Sequence, residues 1–192
     1  MKKLQITCVA LISLAMTTFA MGAEFSDGSN AKEFGFIDEE KATFSGKVVD
    51  ILCELSGDCA ETCGSGNRLM GIVRDKDNTL VLVLKNAQLS FNGPVHDLVP
   101  YCNKKVDVDG LLIGDVESYN AKFYMVQFIR DAGAAEWKKA KLWTKAWKER
   151  NPEATGKGPW FRRDPRVIKQ TEAEGYFGLG HEADEQYRVE NQ

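Results

Sequence analysis

Cys53, Cys59 and Cys63 stand within eleven positions in the stretch CELSGDCAETCGSG, and Cys102 follows 39 residues later. Thiols at this density can do three kinds of chemistry. In an oxidising compartment an even set closes into disulfides. As thiolates they ligate zinc or copper(I). With a lowered pKa, one member of a pair becomes a redox nucleophile. Spacing separates these options. Zinc knuckles use Cys-x2-4-Cys, which only the Cys59 to Cys63 step satisfies. A copper or zinc carrier built on Cys53, Cys59, Cys63 and Cys102, with Met70, His96 or His181 able to add ligands, is therefore the alternative to disulfides. Redox enzymes place Cys-x-x-Cys at a helix start in a βαβ setting, and neither the spacing nor the setting occurs here. A Cys-x-x-Cys-His haem attachment is also missing.

The compartment decides between thiol and disulfide. Lys2 and Lys3, an apolar run from Leu4 to Ala20, and small residues at Ala20, Gly22 and Ala23 make the pattern of a secretory signal peptide over residues 1–23. The run is shorter than the roughly 20 residues of a membrane-spanning helix. Cys8 leaves with the leader, so four cysteines remain, the number two disulfides require. The leader has a bacterial look, which places the mature chain in a periplasm. No other segment is long and apolar enough to span a bilayer. Of 25 basic and 28 acidic residues the leader removes two lysines and no acid, leaving a net charge near −5. That acidity argues against a nucleic-acid binder.

The elements that must position the cysteines follow from texture. Residues 24–42 are polar and glycine-containing, a flexible lead-in or strap. From residue 43 the chain alternates in short β-rich runs: FSGKVVDILCEL (44–55), RLMGIVR (68–74), LVLVLK (80–85), KVDVDGLLI (105–113) and KFYMVQFIR (122–130). DKDN makes a hairpin turn, Asn92, Gly93 and Pro94 make another turn, and Val95 to Tyr101 make one or two helical turns. Five strands with a short helix between the third and fourth is the element order of an OB-fold, a Greek-key barrel, here over residues 43–131. Residues 132–192 form a helical extension: a helix over 134–150, a loop GKGPWFRRDP, and a second helix over 165–175 with Asp164 as its cap and Pro165 at its first position. The tail is glycine-rich and then acidic.

In such a barrel the first and fourth strands are antiparallel neighbours. With Cys53 late in the first and Cys102 just before the fourth, the expected pairing is Cys53 with Cys102 and Cys59 with Cys63. The cysteines occupy the loop joining strands one and two, and GDVESYNA (114–121) joins strands four and five; these are the loops that OB-folds use for ligands. RLMGIVR and LVLVLK carry no aromatic residue, so the stacking platform for single-stranded nucleic acid is missing.

The runs GKVVDILCEL, CAETC, GNRLMGIVRDKDNTLVLVLKN and YCNKKVDVDGLLI resemble a group of small exported bacterial OB-fold proteins with a Gly-x-Val-Val-Asp strand and a cysteine-rich first loop. The likeness covers residues 44–130 and leaves out the tryptophan-rich tail. It implies the fold and the compartment.

No catalytic set emerges. His96 sits at the cap or surface of the short helix, and His181 lies in the tail. Asp107 and Asp109 share a strand face that alternation turns outward. Between residues 137 and 169 there are eleven Lys and Arg against three acids, while residues 170–192 hold six acids against Arg188. Trp137, Trp143, Trp147, Trp160 and Phe161, interleaved with basic residues that include Arg162 and Arg163, would either cap the barrel or dock a protein partner. The reading is a disulfide-stapled periplasmic OB-fold module that binds a protein or small ligand, without a cofactor.

Overall fold

The computed structural model describes residues 25–36, 38–66, 68–85, 93–114 and 122–191. The leader at 1–23, Asn92 of the second turn, and the 114–121 loop beyond Gly114 lie outside the described residues.

Strands β1 (Glu39–Asp50), β2 (Met70–Arg74), β3 (Leu80–Val83), β4 (Lys105–Ile113) and β5 (Lys122–Asp131) lie in the order β3-β2-β1-β4-β5. β3 then pairs in parallel with β5, Val81 opposite Lys122 and Val83 opposite Tyr124, which closes the ring. All other pairings are antiparallel. The molecule is mainly β, an OB-fold-like five-stranded barrel with C-terminal helices. β1 serves two neighbours: its residues 39–47 pair with β4 and its residues 46–50 with β2. Gly46 sits at the handover, where a Cβ would come within 2.6 Å of the Val73 carbonyl oxygen. Only glycine lets the two ladders share that point.

Alternation fills the interior with Phe44, Val48, Met70, Ile72, Val81, Val106, Val108, Leu112, Tyr124 and Ile129. The Tyr124 hydroxyl donates to the Ala42 carbonyl at 2.7 Å, and burial raises its pKa well above that of a free phenol. Helix α2 (Gly93–Leu98) and the 3-10 turn Val99–Tyr101 plug one end with Val95, Leu98 and Tyr101.

Two boundaries differ from those expected. β1 begins at Glu39, inside the stretch read as lead-in, and stops at Asp50. Ile51–Ser56 is then a helix, α1, and not the end of the strand. The Asp50 carboxylate accepts from the Leu52 and Cys53 N–H groups, and Gly57 at φ 73° ends the helix with its N–H on the Cys53 carbonyl. An N-cap aspartate seven residues before a left-handed glycine is a helix signature. The β-branched run before it masked that signal.

Residues 25–36 run over the barrel as an ordered strap. Ser29 Oγ and the Asn30 N–H donate to the two oxygens of Asp109, at 2.5 and 2.8 Å. The Lys32 N–H and carbonyl exchange hydrogen bonds with the Gln127 amide. Ala31 packs with Leu84, Leu111 and Met125, so the strap covers apolar surface outside the barrel core. Asp109, expected in solvent, is therefore only 2% exposed. A register shift between Asp109 and Gly110 accompanies this change. Asp107 is half-buried, held by Ser45 at 2.7 Å and Arg130 at 2.9 Å. Asp109→Ala should loosen the strap by roughly 2 kcal/mol, since hydrogen bonds to a carboxylate contribute about 1.5–3 kcal/mol each and water recovers part. Hydrogen exchange reads this directly: faster exchange across residues 29–36 is expected, and unchanged protection would show that the carboxylate does not hold the strap.

After β5, the two-residue strand β6 (Lys138–Lys139) pairs with Phe128 and Ile129, so the helix expected from Ala134 begins only with α3 (Leu142–Arg150). Asp97 of α2 sets that start by accepting from the Leu142 N–H at 2.7 Å. Its other oxygen takes the Lys85 ammonium at 2.6 Å, and Lys85 also donates to the Ala140 carbonyl. α4 (Pro165–Glu174) starts where Asp164 and Pro165 predicted, with the Asp164 carboxylate on the Arg166 N–H. The tail adds α5 (His181–Glu190), in which Asp184 accepts from the N–H groups of Phe177 and Leu179.

Candidate functional site

The four cysteines do form two disulfides, but with other partners than expected. Cys53 bonds Cys59, with Cα atoms 4.3 Å apart, and Cys63 bonds Cys102, with Cα atoms 5.9 Å apart. The expected Cys53–Cys102 and Cys59–Cys63 pairs assumed that Cys53 sits at the end of a strand. Because β1 ends at Asp50, Cys53 lies on α1, and the Gly57 turn brings Cys59 back to it. Cys63 is left to meet Cys102, which follows the 3-10 turn after α2 and precedes Asn103, whose N–H bonds Val48 of β1.

The β1–β2 loop is braced at further points. Arg68 Nη1 donates to the Asp58 carbonyl at 2.6 Å, and the same guanidinium lies 3.6 Å from Asp50 and 3.5 Å from the Asp58 carboxylate. Gly64, at φ 72°, is buried against Met70 of the barrel interior, where a side chain would strike the Met70 sulfur. Yet α1 buries none of its residues. Leu55 is 70% exposed, and Leu52 and Leu69 are nearly half exposed. In the same segment Glu54 and Glu61 face solvent, as does Asp58, which is paired with Arg68. The loop thus holds exposed leucines and the exposed acids Glu54 and Glu61 on a braced segment.

In the disulfide form none of the four sulfurs is a thiolate, the state a metal takes. The residues named as further ligands lie apart from one another. Met70 is buried in the barrel core, His96 is exposed on α2, and His181 begins α5 with its Nε2 on the Glu172 carbonyl. Among the described residues no group of three or more His, Cys, Asp or Glu side chains converges as a metal site.

The tryptophans of the extension face one another. Trp143 and Trp160 have ring centroids 4.3 Å apart, and Trp147 and Phe161 each lie 6.0 Å from Trp160. Trp147 is 1% exposed, and its indole N–H donates to Asp164 at 2.8 Å. Arg163 lies over the Trp147 ring and donates to the Ala154 carbonyl. Trp137 stands apart, its ring 4.2 Å from the Arg130 guanidinium, and Arg162 points to solvent. The aromatic set proposed for docking is mainly the small core of the extension. Helical spacing of Trp143 and Trp147 revealed their common face, but what covers that face was not legible without the GPWF loop folded back on it.

Hydrogen bonds from Arg166 and from the Trp147 indole hold the Asp164 carboxyl far below the usual carboxylate range. A depressed carboxylate stabilises fully above its unfolded pKa of about 3.9, and loses that contribution as pH falls through this value toward the native one. Arg166 is largely exposed and solvent screens part of its share, while the Trp147 bond is buried and keeps its full contribution. On acidification below about pH 4, tryptophan emission is expected to report loosening of the extension before barrel circular dichroism changes. Asp164→Asn should flatten that dependence; an unaltered acid profile in this variant would remove Asp164 as its cause.

Among the described residues no helix is long and apolar enough to cross a membrane. Comparisons of the chain with protein-family models, with characterised proteins and with solved structures gave no match in any of the three.

Proposed function

We propose that the protein is a non-catalytic accessory module, exported to an oxidising compartment such as the bacterial periplasm, that binds a partner protein through its disulfide-braced β1–β2 loop. The observation that carries this reading is α1. Its residues are fixed by an N-cap, a C-terminal glycine and a disulfide, and Ile51 leans on the barrel beside Gly71, yet none of its side chains is fully buried and Leu52 and Leu55 stand exposed. Holding leucines in water on a rigid segment is unfavourable for an isolated chain and favourable for association, because the ordering cost is met before the partner arrives. The exposed Glu54 and Glu61 of the same segment favour a partner whose apolar patch carries Lys or Arg. Two disulfides and a leader-like N-terminus support the compartment.

The test is photocrosslinking in the producing cell from a reactive amino acid at position 55, with position 174 as a distant control. A defined protein adduct at 55, lost on Leu52→Asp and absent at 174, is expected. No adduct at 55, or equal adducts at both positions, would sink the reading. Mass measurement with alkylation before and after reduction addresses the copper or zinc carrier alternative. Two disulfides give a mass four hydrogens below the reduced chain with no alkylation before reduction. Free thiols with a stoichiometric metal adduct would favour the carrier.

A further inference from the structure

We infer that a groove where the strap, the barrel and the extension meet is a binding site for an amphiphilic anion, a single carboxylate on an apolar body. The groove encloses about 310 Å³. It is separate from the β1–β2 loop and the inference is independent of the partner-binding reading.

Its lining is divided by polarity. Met125 and Phe128 of β5 and Ala140 after β6 supply apolar wall. Lys85 also lines it, but that ammonium is committed to Asp97 and to the Ala140 carbonyl, so it fixes the shape of the groove and its charge is neutralised. Lys32, Lys139 and Lys141 are different. They come from the strap, from β6 and from the residue before α3, all three are exposed, and no carboxylate pairs with any of them among the described residues. A chain with formal net charge −3 has acids to spare, yet places three uncompensated ammonium groups on one small concavity. Their mutual repulsion opposes that arrangement, and a bound anion relieves it.

Two further features bear on the headgroup. α3 begins at the groove with Lys141 as its N-cap, and because the Asp97 carboxylate already takes the Leu142 N–H of that first turn, the anion-attracting charge of the groove comes from the lysines and not from the helix end. Thr144, on the first turn of the same helix, also lines the groove. A hydrated inorganic anion would satisfy the lysines and waste the Met125 and Phe128 surface. A neutral apolar ligand would do the reverse. A carboxylate on an apolar body uses both, in a groove at the small end of ligand sites, which run from about 300 to 1,000 Å³.

Calorimetric titration of the disulfide-intact mature protein with dodecanoate, below its micellar concentration, tests the site. Inorganic phosphate and dodecyltrimethylammonium serve as the two half-matched probes. Saturable one-to-one binding of dodecanoate is expected, with at least tenfold weaker binding of either other probe. Lys139→Glu/Lys141→Glu, both exposed, should weaken dodecanoate at least tenfold. Lys145→Glu/Lys148→Glu, on exposed positions of α3 outside the groove, makes the same change in net charge and should leave binding within twofold. Four results would each overturn the proposal: no saturable dodecanoate binding, phosphate or the cationic amphiphile binding as tightly, no weakening in the groove variant, or equal weakening in the control variant.

Discussion

Asp97→Ala is expected to destabilise the protein by about 3–5 kcal/mol, the cost of removing one partner from a buried ion pair. Lys85 and Asp97 are both buried, 2.6 Å apart, at the joint between barrel and extension. Without the carboxylate the Lys85 ammonium keeps, among the described residues, only the Ala140 carbonyl as a partner. The Leu142 N–H also loses its acceptor, so α3 loses the bond that sets its first turn. Urea unfolding should show a lower midpoint. Tryptophan emission, which reports the Trp143–Trp147–Trp160 cluster, should change before the barrel signal does. Lys85→Met/Asp97→Leu removes both charges and replaces them with apolar volume, and such exchanges are often neutral or stabilising. That double variant should recover most of the loss. If Asp97→Ala alone stays within about 1 kcal/mol of the parent, as exposed pairs do, the pair is solvated and the joint rests on packing.

Removing the Cys63–Cys102 bond with Cys63→Ser/Cys102→Ser should cost roughly 4 kcal/mol, against roughly 2 kcal/mol for Cys53→Ser/Cys59→Ser, in the chain-entropy account where the longer closed loop restrains the unfolded chain more. The sequence separations are 39 and 6. A barrel of this size has a small core, so the larger loss is a substantial part of its stability. The two variants should also differ in kind. Opening Cys53–Cys59 frees α1 and should abolish the crosslink from position 55 while the barrel stays folded. Opening Cys63–Cys102 releases the loop from the end of the barrel that α2 plugs. Chemical denaturation of both variants decides the ranking, and a larger cost for the shorter bridge would mean that folded-state contacts of α1, and not unfolded-state entropy, set its value.

Much of the barrel was legible because its strands obey one local rule. KVDVDGLLI alternates over the bounds that β4 adopts, and Asp164 before Pro165 announced α4 with its cap. What failed depended on partners distant in sequence. Ile51 to Leu55 could continue a strand by composition, and only the Asp50 cap and Gly57 made it a helix. That single boundary moved Cys53 off the strand and changed both disulfides. Asp109 looked solvent-facing because alternation knows nothing of a strap that arrives from 80 residues away. Lys138 and Lys139 have helix-forming neighbours, but the open edge of β5 takes them as a strand. The Trp cluster was visible as one face, while its role as the interior of the extension required Trp160 to return through the loop.

The two disulfides do not interlock: among the described residues each cysteine is joined to the next one along the chain, 53 to 59 and then 63 to 102. For a polypeptide threaded N-terminus first into an oxidant, this is the order in which thiols appear. Oxidation can proceed by first arrival, with the early bond sealed before Cys63 has a competitor and Cys63 then waiting for Cys102. The nested arrangement, 53 to 102 enclosing 59 to 63, would have demanded that Cys53 pass over two nearer thiols. The short α1 helix seats Cys53 beside Cys59, so in a chain exported in this way the pairing of the folded protein coincides with the order of arrival.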